Sequence, residues 1–242
     1  MIAGAGGEAV VSLDSVADWQ SAHRIVECAL DSFGGIDIVV INAGNNRFGP
    51  FWETTEEDYR AITAVHLDGS YFVSRAAAPH FREQASGAYV HMTSTGGLMG
   101  RTGKVHYCAA KAGIVGMSRA ISLEMARFGV RSNCVAPFAS SRMAGLESMS
   151  PERLAEIEKM RPEQNAQLVV ALACPPAAHI TGQVFISRGT EIAVAHQGFP
   201  AKTVHRSDGW SPGTILTHAL PALGVAFAPH VTFGEYYTWP VI

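Results

Sequence analysis

The chain is predicted to fold as an α/β domain built on an open, doubly wound parallel sheet. Two observations predict it: short apolar runs alternate with longer amphipathic ones, and Ile36 to Ile41 is apolar almost without a break, as expected for a strand covered on both faces. Glu8 to Leu13 reads as a first strand, followed by a helix from about Val16 to Phe33. That helix sets Val16, Trp19, His23, Val26, Leu30 and Phe33 on one stripe, close to the 3.6-residue period, and Gly34-Gly35 stops it. After Ile36–Ile41 a long helix is expected from Thr55, a capping residue followed by Glu56, Glu57 and Asp58, to about Gln84, with Gly69 as its weak point. The remaining elements are a strand Ala88–Ser94, a helix Lys104–Phe128, a strand Val130–Val135, a helix Glu163–Ala173 and a strand Gln183–Ser187. Beyond Gly189 the alternation stops, leaving a tail of turns and aromatics with one helix near Thr214–Leu223.

Composition narrows the class. The 242 residues suit one domain, and 48% hydrophobic against 16% charged residues excludes a disordered chain. A net charge of -3 gives no basis for a nucleic-acid partner or an acidic membrane surface. Cys28, Cys108, Cys134 and Cys174 form no CxxC pair, which fits reduced thiols in the cytoplasm. No apolar run reaches the roughly 18 residues of a membrane span, and no signal peptide opens the chain. His91 and His106 lack metal-ligand spacing, so no metal is expected.

The chemistry centres on Tyr107 and Lys111, four residues apart and therefore on one face of a helix. A phenol with a pKa of about 10 is a poor base at neutral pH. A lysine about 4 Å away contributes roughly 4 kcal/mol at an effective dielectric of 20. That interaction would bring the phenol down by up to about 3 pH units, to the range alcohol oxidation requires. Alone the pair is a weak signal, more often a bland helix-surface contact than chemistry. Context strengthens it. Ser94 ends a predicted strand 13 residues upstream, where a hydroxyl can hold a substrate carbonyl against the phenol. Asn42-Ala43-Gly44 ends the preceding strand, and ligands of open parallel sheets bind outside the carboxyl ends of strands.

In the order and spacing of these residues the chain resembles the short-chain dehydrogenase/reductase family, over about Ala3 to Gly189. The family's NAG turn matches Asn42, Ala43 and Gly44, its Ser, Tyr and Lys match Ser94, Tyr107 and Lys111, and the proline opening its nicotinamide loop matches Pro137. A narrower likeness, to the dehydrogenase domains of multifunctional β-oxidation enzymes and related hydroxyacyl-CoA or hydroxysteroid dehydrogenases, rests on Val65–Gly69, on Ala136-Pro137-Phe138 leading to Ser141-Arg142-Met143, and on Met149–Glu152. The resemblance implies a Rossmann-like fold and NAD as cofactor, with NADP as the alternative. It also implies a homodimer or homotetramer, and a secondary alcohol or ketone, of 3-hydroxyacyl-CoA or steroid type, as substrate. Tyr107 would be the acid/base, Lys111 would lower its pKa and bond the ribose, and Ser94 would polarise the carbonyl. Asp14 and Ser15 match adenine-contacting positions, and Ser141 matches a threonine that bonds the carboxamide.

Three departures stand out. His66 occupies the position of the family's catalytic asparagine, where an imidazole either relays a proton through water or simply packs in the helix. Phe138 replaces the usual glycine after the proline. The chain opens at what matches the family's third strand, so the first two strands and the glycine-rich turn between them are expected to be absent, as in a piece of a longer parent. Gly4, Gly6 and Gly7 precede a strand rather than follow one and read as a turn. Each lost bond to a pyrophosphate is worth about 1.5–3 kcal/mol, so three would take a micromolar cofactor to about millimolar or weaker. Glu8–Leu13 would then pair directly with Ile36–Ile41 or form a poorly packed edge. Residues 1–190 are thus expected to be an incomplete dinucleotide-binding and catalytic domain, and 191–242 an extension that serves as a lid or an oligomer contact. The rival reading is a cofactor-free interaction subunit on the same scaffold.

Overall fold

The computed structural model describes residues 2–140, 150–196, 198, 200–228, 231, 233–238 and 241. Helix α1 (Trp19–Phe33) starts where the Asp18 carboxylate accepts the Ser21 N–H at 2.8 Å, and it ends at Gly34 with φ 76°. Strand β1 (Ile38–Ile41) follows. Helix α2 (Glu56–Thr63) opens with a reciprocal cap between Thr55 and Asp58. The long helix expected to run on to Gln84 is interrupted: Ala64–Asp68 form a π-helical turn before α3 (Gly69–Glu83). The distortion falls just ahead of Gly69, and the wider turn buries His66.

Strand β2 (Gly87–Met92) leads through the short α4 (Thr95–Met99) to α5 (Val105–Glu124), and then to β3 (Val130–Pro137). Helices α6 (Pro151–Glu158) and α7 (Pro162–Ala173) precede β4 (Val184–Arg188). A strand unforeseen in the sequence, β5 (Glu191–Val194), pairs antiparallel with β4 after a tight turn at Gly189. The tail carries α8 (Pro212–Thr214), a π-helical turn Ile215–Ala219, α9 (Leu220–Gly224) and α10 (Phe233–Tyr236).

The five strands lie in the order β1-β2-β3-β4-β5, with the first four parallel. One face packs Ala22 and Val26 of α1 and Val73, Ala77 and Phe81 of α3 against Val39, Ile41 and Tyr89. The other packs Leu168 and Leu172 of α7 against Val90 and Val135. Each of the valines, leucines, isoleucines and phenylalanines here contributes about 1.5–3 kcal/mol when fully buried. Arg131 fixes α7 by donating from Nη1 to the Leu172 carbonyl at 2.6 Å and from Nη2 to the Ala173 carbonyl at 3.0 Å.

Two expectations are corrected. Glu8–Leu13 is not a strand and does not pair with β1; Val11 and Leu13 are 78% and 96% exposed. An apolar run makes a strand only where a neighbour satisfies its backbone, and this segment is tethered by side chains instead, through Asp14 to Arg24 and Ser12. Ile36–Ile41 is not covered on both faces either. It is an edge strand with Val39 and Ile41 buried and Ile38 and Val40 exposed, because α1 and α3 cover one side of it while α7 lies over β2 and β4.

Candidate active site

The carboxyl ends of β1 and β2 and the first turns of α5 bring the predicted group together. Ser94 ends the β2 segment in extended conformation, and its hydroxyl caps α4 by accepting the Gly96 N–H at 3.1 Å. It also lies near enough to the Tyr107 phenol to favour its ionised form. Lys111 is 5% exposed and lies 5.7 Å from the centre of the Tyr107 ring. Gly97 lets α4 rest directly on the Lys111 backbone, since a Cβ there would come within 2.7 Å of its carbonyl carbon.

The electrostatics differ from the expected pattern. The Lys111 ammonium does not drive the phenol toward neutrality; it donates to the Met92 carbonyl at 2.6 Å. Burial brings Lys111 down to about 8. The same burial raises Tyr107 above the ordinary phenol value, and only Ser94 and the Arg101 charge oppose it. A phenol that holds its proton at neutral pH is poised as a donor. With its Nζ on the Met92 carbonyl, Lys111 is not among the charges that lower Tyr107 in this arrangement.

His66 is 1% exposed and stands edge-on to Tyr107. Its Nε2 faces both the Asn45 carbonyl at 2.9 Å and the Asn45 N–H at 3.3 Å; in the tautomer that donates to the carbonyl, Nδ1 is an acceptor without a partner among the described residues. Burial, then the Lys111 charge, lowers the imidazole to about 4. Gly44 has no room for a side chain: a Cβ would sit 2.7 Å from His66 Cε1. The Asn42-Ala43-Gly44 turn itself is exposed at the end of β1.

The other predicted residues are more scattered. Pro137 ends β3 beside Ser187, and Phe138 packs with Ile157, Met160 and Val241 and lies 5.7 Å from the Tyr237 ring. Asp14 is held well below the usual carboxylate range, mainly by Arg24, and Ser15 accepts the Ala17 N–H; neither reaches Tyr107. Ser141, with Arg142, Met143 and Met149, lies outside the described residues. Among the described residues no group of three or more histidines, cysteines and carboxylates could hold a metal.

Sequence reasoning missed Lys104. Its Nζ donates to Asn46 Oδ1 at 2.6 Å and lies 5.2 Å from the centre of the Tyr107 ring, on the turn leading into α5. The signal was available in its position one helical turn before Tyr107.

For a dinucleotide the residues fit at one end. The exposed Asn42–Gly44 turn and two buried acceptors without partners, His66 Nδ1 and Asn45 Oδ1, suit a polar group lying across the strand ends. At the other end, among the described residues, Gly4 lies within a 3-10 turn at Ala3–Ala5, Gly6 and Gly7 follow it, and none of them opens an α-helix.

The fold and this group of side chains define an α/β protein with a site at the carboxyl edge of its sheet. The family described as enoyl-(acyl carrier protein) reductase matches residues 1–189. The chain is 33% identical over 202 residues to the hydroxyacyl-CoA dehydrogenase ChsB1 of Mycobacterium tuberculosis, covering 79% of this chain and 63% of the relative. It is 36% identical over 216 residues to the peroxisomal hydratase-dehydrogenase-epimerase of Neurospora crassa, covering 89% of this chain and 23% of the relative. The chain therefore spans less than two thirds of the length of either curated relative. A crystal structure of a short chain dehydrogenase from Mycobacterium avium superposes with a TM-score of 0.82 at 34% identity, over 94% of this chain and 77% of that one. The chain belongs to the short-chain dehydrogenase/reductase family of oxidoreductases. Among the described residues no helix is long and apolar enough to cross a membrane.

Proposed function

We propose that the chain carries the catalytic centre of an NAD(P)-dependent oxidoreductase that interconverts a secondary alcohol and a ketone, with NAD preferred. The single observation that carries this is Ser94 beside the Tyr107 phenol, with Lys111 one helical turn further on. In the reducing direction Tyr107 gives its proton to the carbonyl oxygen as the carbonyl carbon accepts hydride, and the reverse step returns the proton to Tyr107. Ser94 holds the carbonyl oxygen against the phenol. Lys111 stabilises the phenolate once its ammonium leaves the Met92 carbonyl, and His66 orients the turn at Asn45. A nicotinamide cofactor would supply and remove the hydride; Asn42, Ala43, Gly44 and Pro137 would hold it, and the family match adds Ser141 as a partner for its carboxamide.

The substrate is a 3-hydroxyacyl thioester or a steroid-like alcohol, a reading supported by the hydroxyacyl-CoA dehydrogenase and the hydratase-dehydrogenase-epimerase among the relatives. Residues 191–242 serve as a cover on the Pro137 side, supported by the contact of Tyr237 with Phe138. Homo-oligomerisation through α2, α3 and α5 is supported by the exposed Tyr59, Tyr71 and Val105. The cytoplasm remains the compartment we favour.

A second reading, a cofactor-free interaction subunit, is favoured by the absence of a glycine-rich strand-to-helix turn among the described residues. Titration of NADH and NADPH followed by fluorescence separates the two. Micromolar binding of either supports the enzyme; no binding up to millimolar supports the subunit.

A further inference from the structure

Two cations near Tyr107 neither give nor take a proton in that step. Lys104 is 5% exposed, with its Nζ donating to Asn46 Oδ1 at 2.6 Å and lying 5.9 Å from the Phe48 ring centre and 5.2 Å from that of Tyr107. Arg101 begins the same turn, whose Lys104 N–H donates to the Arg101 carbonyl at 3.3 Å. The Arg101 charge is close enough to destabilise the Lys104 ammonium and to act on the Tyr107 phenol. Among the described residues the ion pairs are Arg24 with Asp14, Arg47 with Asp58, Arg60 with Glu56, Arg188 with Glu191 and Arg206 with Asp208. Among the described residues neither Arg101 nor Lys104 has a carboxylate within ion-pair distance.

Two like charges held in one turn, one of them buried, is an unfavourable arrangement unless a negative group completes it. An amide oxygen and two ring faces offset only part of the loss. The turn is also fixed in place. The Gly49 N–H donates to the Gly103 carbonyl at 3.1 Å, and Gly103, at φ 73°, sits against the Phe48 ring where a Cβ would come within 2.7 Å. Lys104 is therefore held on the rim of the site.

We propose that Arg101 and Lys104 recognise an anionic group, a carboxylate or a phosphate, on the substrate whose alcohol or carbonyl Tyr107 handles. This rests on the oxidoreductase reading of the same site and adds the charge of its substrate. It favours an acidic or phosphorylated substrate over a neutral steroid.

The test is calorimetric titration of the cofactor-free full chain with inorganic phosphate, with 3-hydroxybutanoate and with its uncharged methyl ester. The expected result is that at least one anion binds and that Lys104→Gln and Arg101→Gln each weaken it about tenfold or more, the scale of one lost charge-assisted hydrogen bond. Lys104→Arg should retain binding, and the ester should respond to neither change. Tighter phosphate than acid assigns the group to a phosphate ester; the opposite order assigns a carboxylate. Wild-type affinity in both Gln variants, an ester that binds as well as the acid, or no binding of either anion overturns the proposal. Arg101 is exposed, so Arg101→Gln carries the test if Lys104→Gln does not fold. Failure of NADH and NADPH to bind would sink the oxidoreductase reading without touching anion binding, which separates the two failures.

Discussion

The His66 imidazole meets the Tyr107 ring edge-on, with centroids 5.1 Å apart and planes at 87°. The same imidazole is bonded through Nε2 to the Asn45 carbonyl. It therefore joins the turn after β1 to α5, and its burial keeps it neutral. His66→Ala should cost about 2–4 kcal/mol, through the cavity and the unpaired Asn45 carbonyl. His66→Asn, which keeps a donor, should lose less. Urea melts measure this. A His66 that titrates near 6.5 by NMR would instead mark it as a solvent-linked relay.

On the proposed mechanism, removing the phenol hydroxyl removes the proton donor. Tyr107→Phe should lower turnover about 10²–10⁴-fold while changing stability by less than about 1 kcal/mol. Ser94→Ala should lower it about 10²-fold or more. Steady-state rates alongside near-ultraviolet circular dichroism read both effects. Undiminished turnover in Tyr107→Phe would remove Tyr107 from the mechanism.

Stability should fall on mild acidification. His66 and His91 are both brought down to about 4 by burial, and His91 is 0% exposed with neither ring nitrogen bonded. In the unfolded chain they return to about 6.5 and take up protons first as pH drops. Their contribution is thus fully present above about 6.5 and is lost as pH falls toward about 4, on the order of 3 kcal/mol each. The urea midpoint should be lower at pH 5 than at pH 7.5, and His91→Leu should flatten the difference. Equal midpoints for the wild-type chain would contradict the burial argument.

The α4–α5 contact should not tolerate a methyl group. A Cβ at Gly97 meets the Lys111 carbonyl carbon at 2.7 Å and the Ala112 nitrogen at 2.8 Å, both backbone atoms that cannot swing aside. Gly97→Ala should cost about 1–3 kcal/mol and displace Ser94 relative to Lys111, lowering turnover more than Gly100→Ala does relative to its stability loss. Thermal melts and rates of both variants check it.

The sequence by itself determined the alternation of helices and strands, the caps at Thr55 and Gly34, and the placing of Tyr107 and Lys111 on one helix face. These depend on period, on local hydrogen bonding and on spacing along one helix, all of which act between near neighbours in the chain. Tertiary structure decided the rest. Glu8–Leu13 has strand-like residues but no partner strand, and Ile38 and Val40 have no covering helix, because pairing and burial come from elements remote in sequence. The run from Thr55 to Gln84 looks like one helix, yet packing opens a π-helical turn that buries His66. Lys111 sits where its spacing placed it, but the Met92 carbonyl takes its ammonium and burial raises Tyr107. Proton affinity depends on the dielectric and on the partners that surround a group, and only the packed chain fixes those.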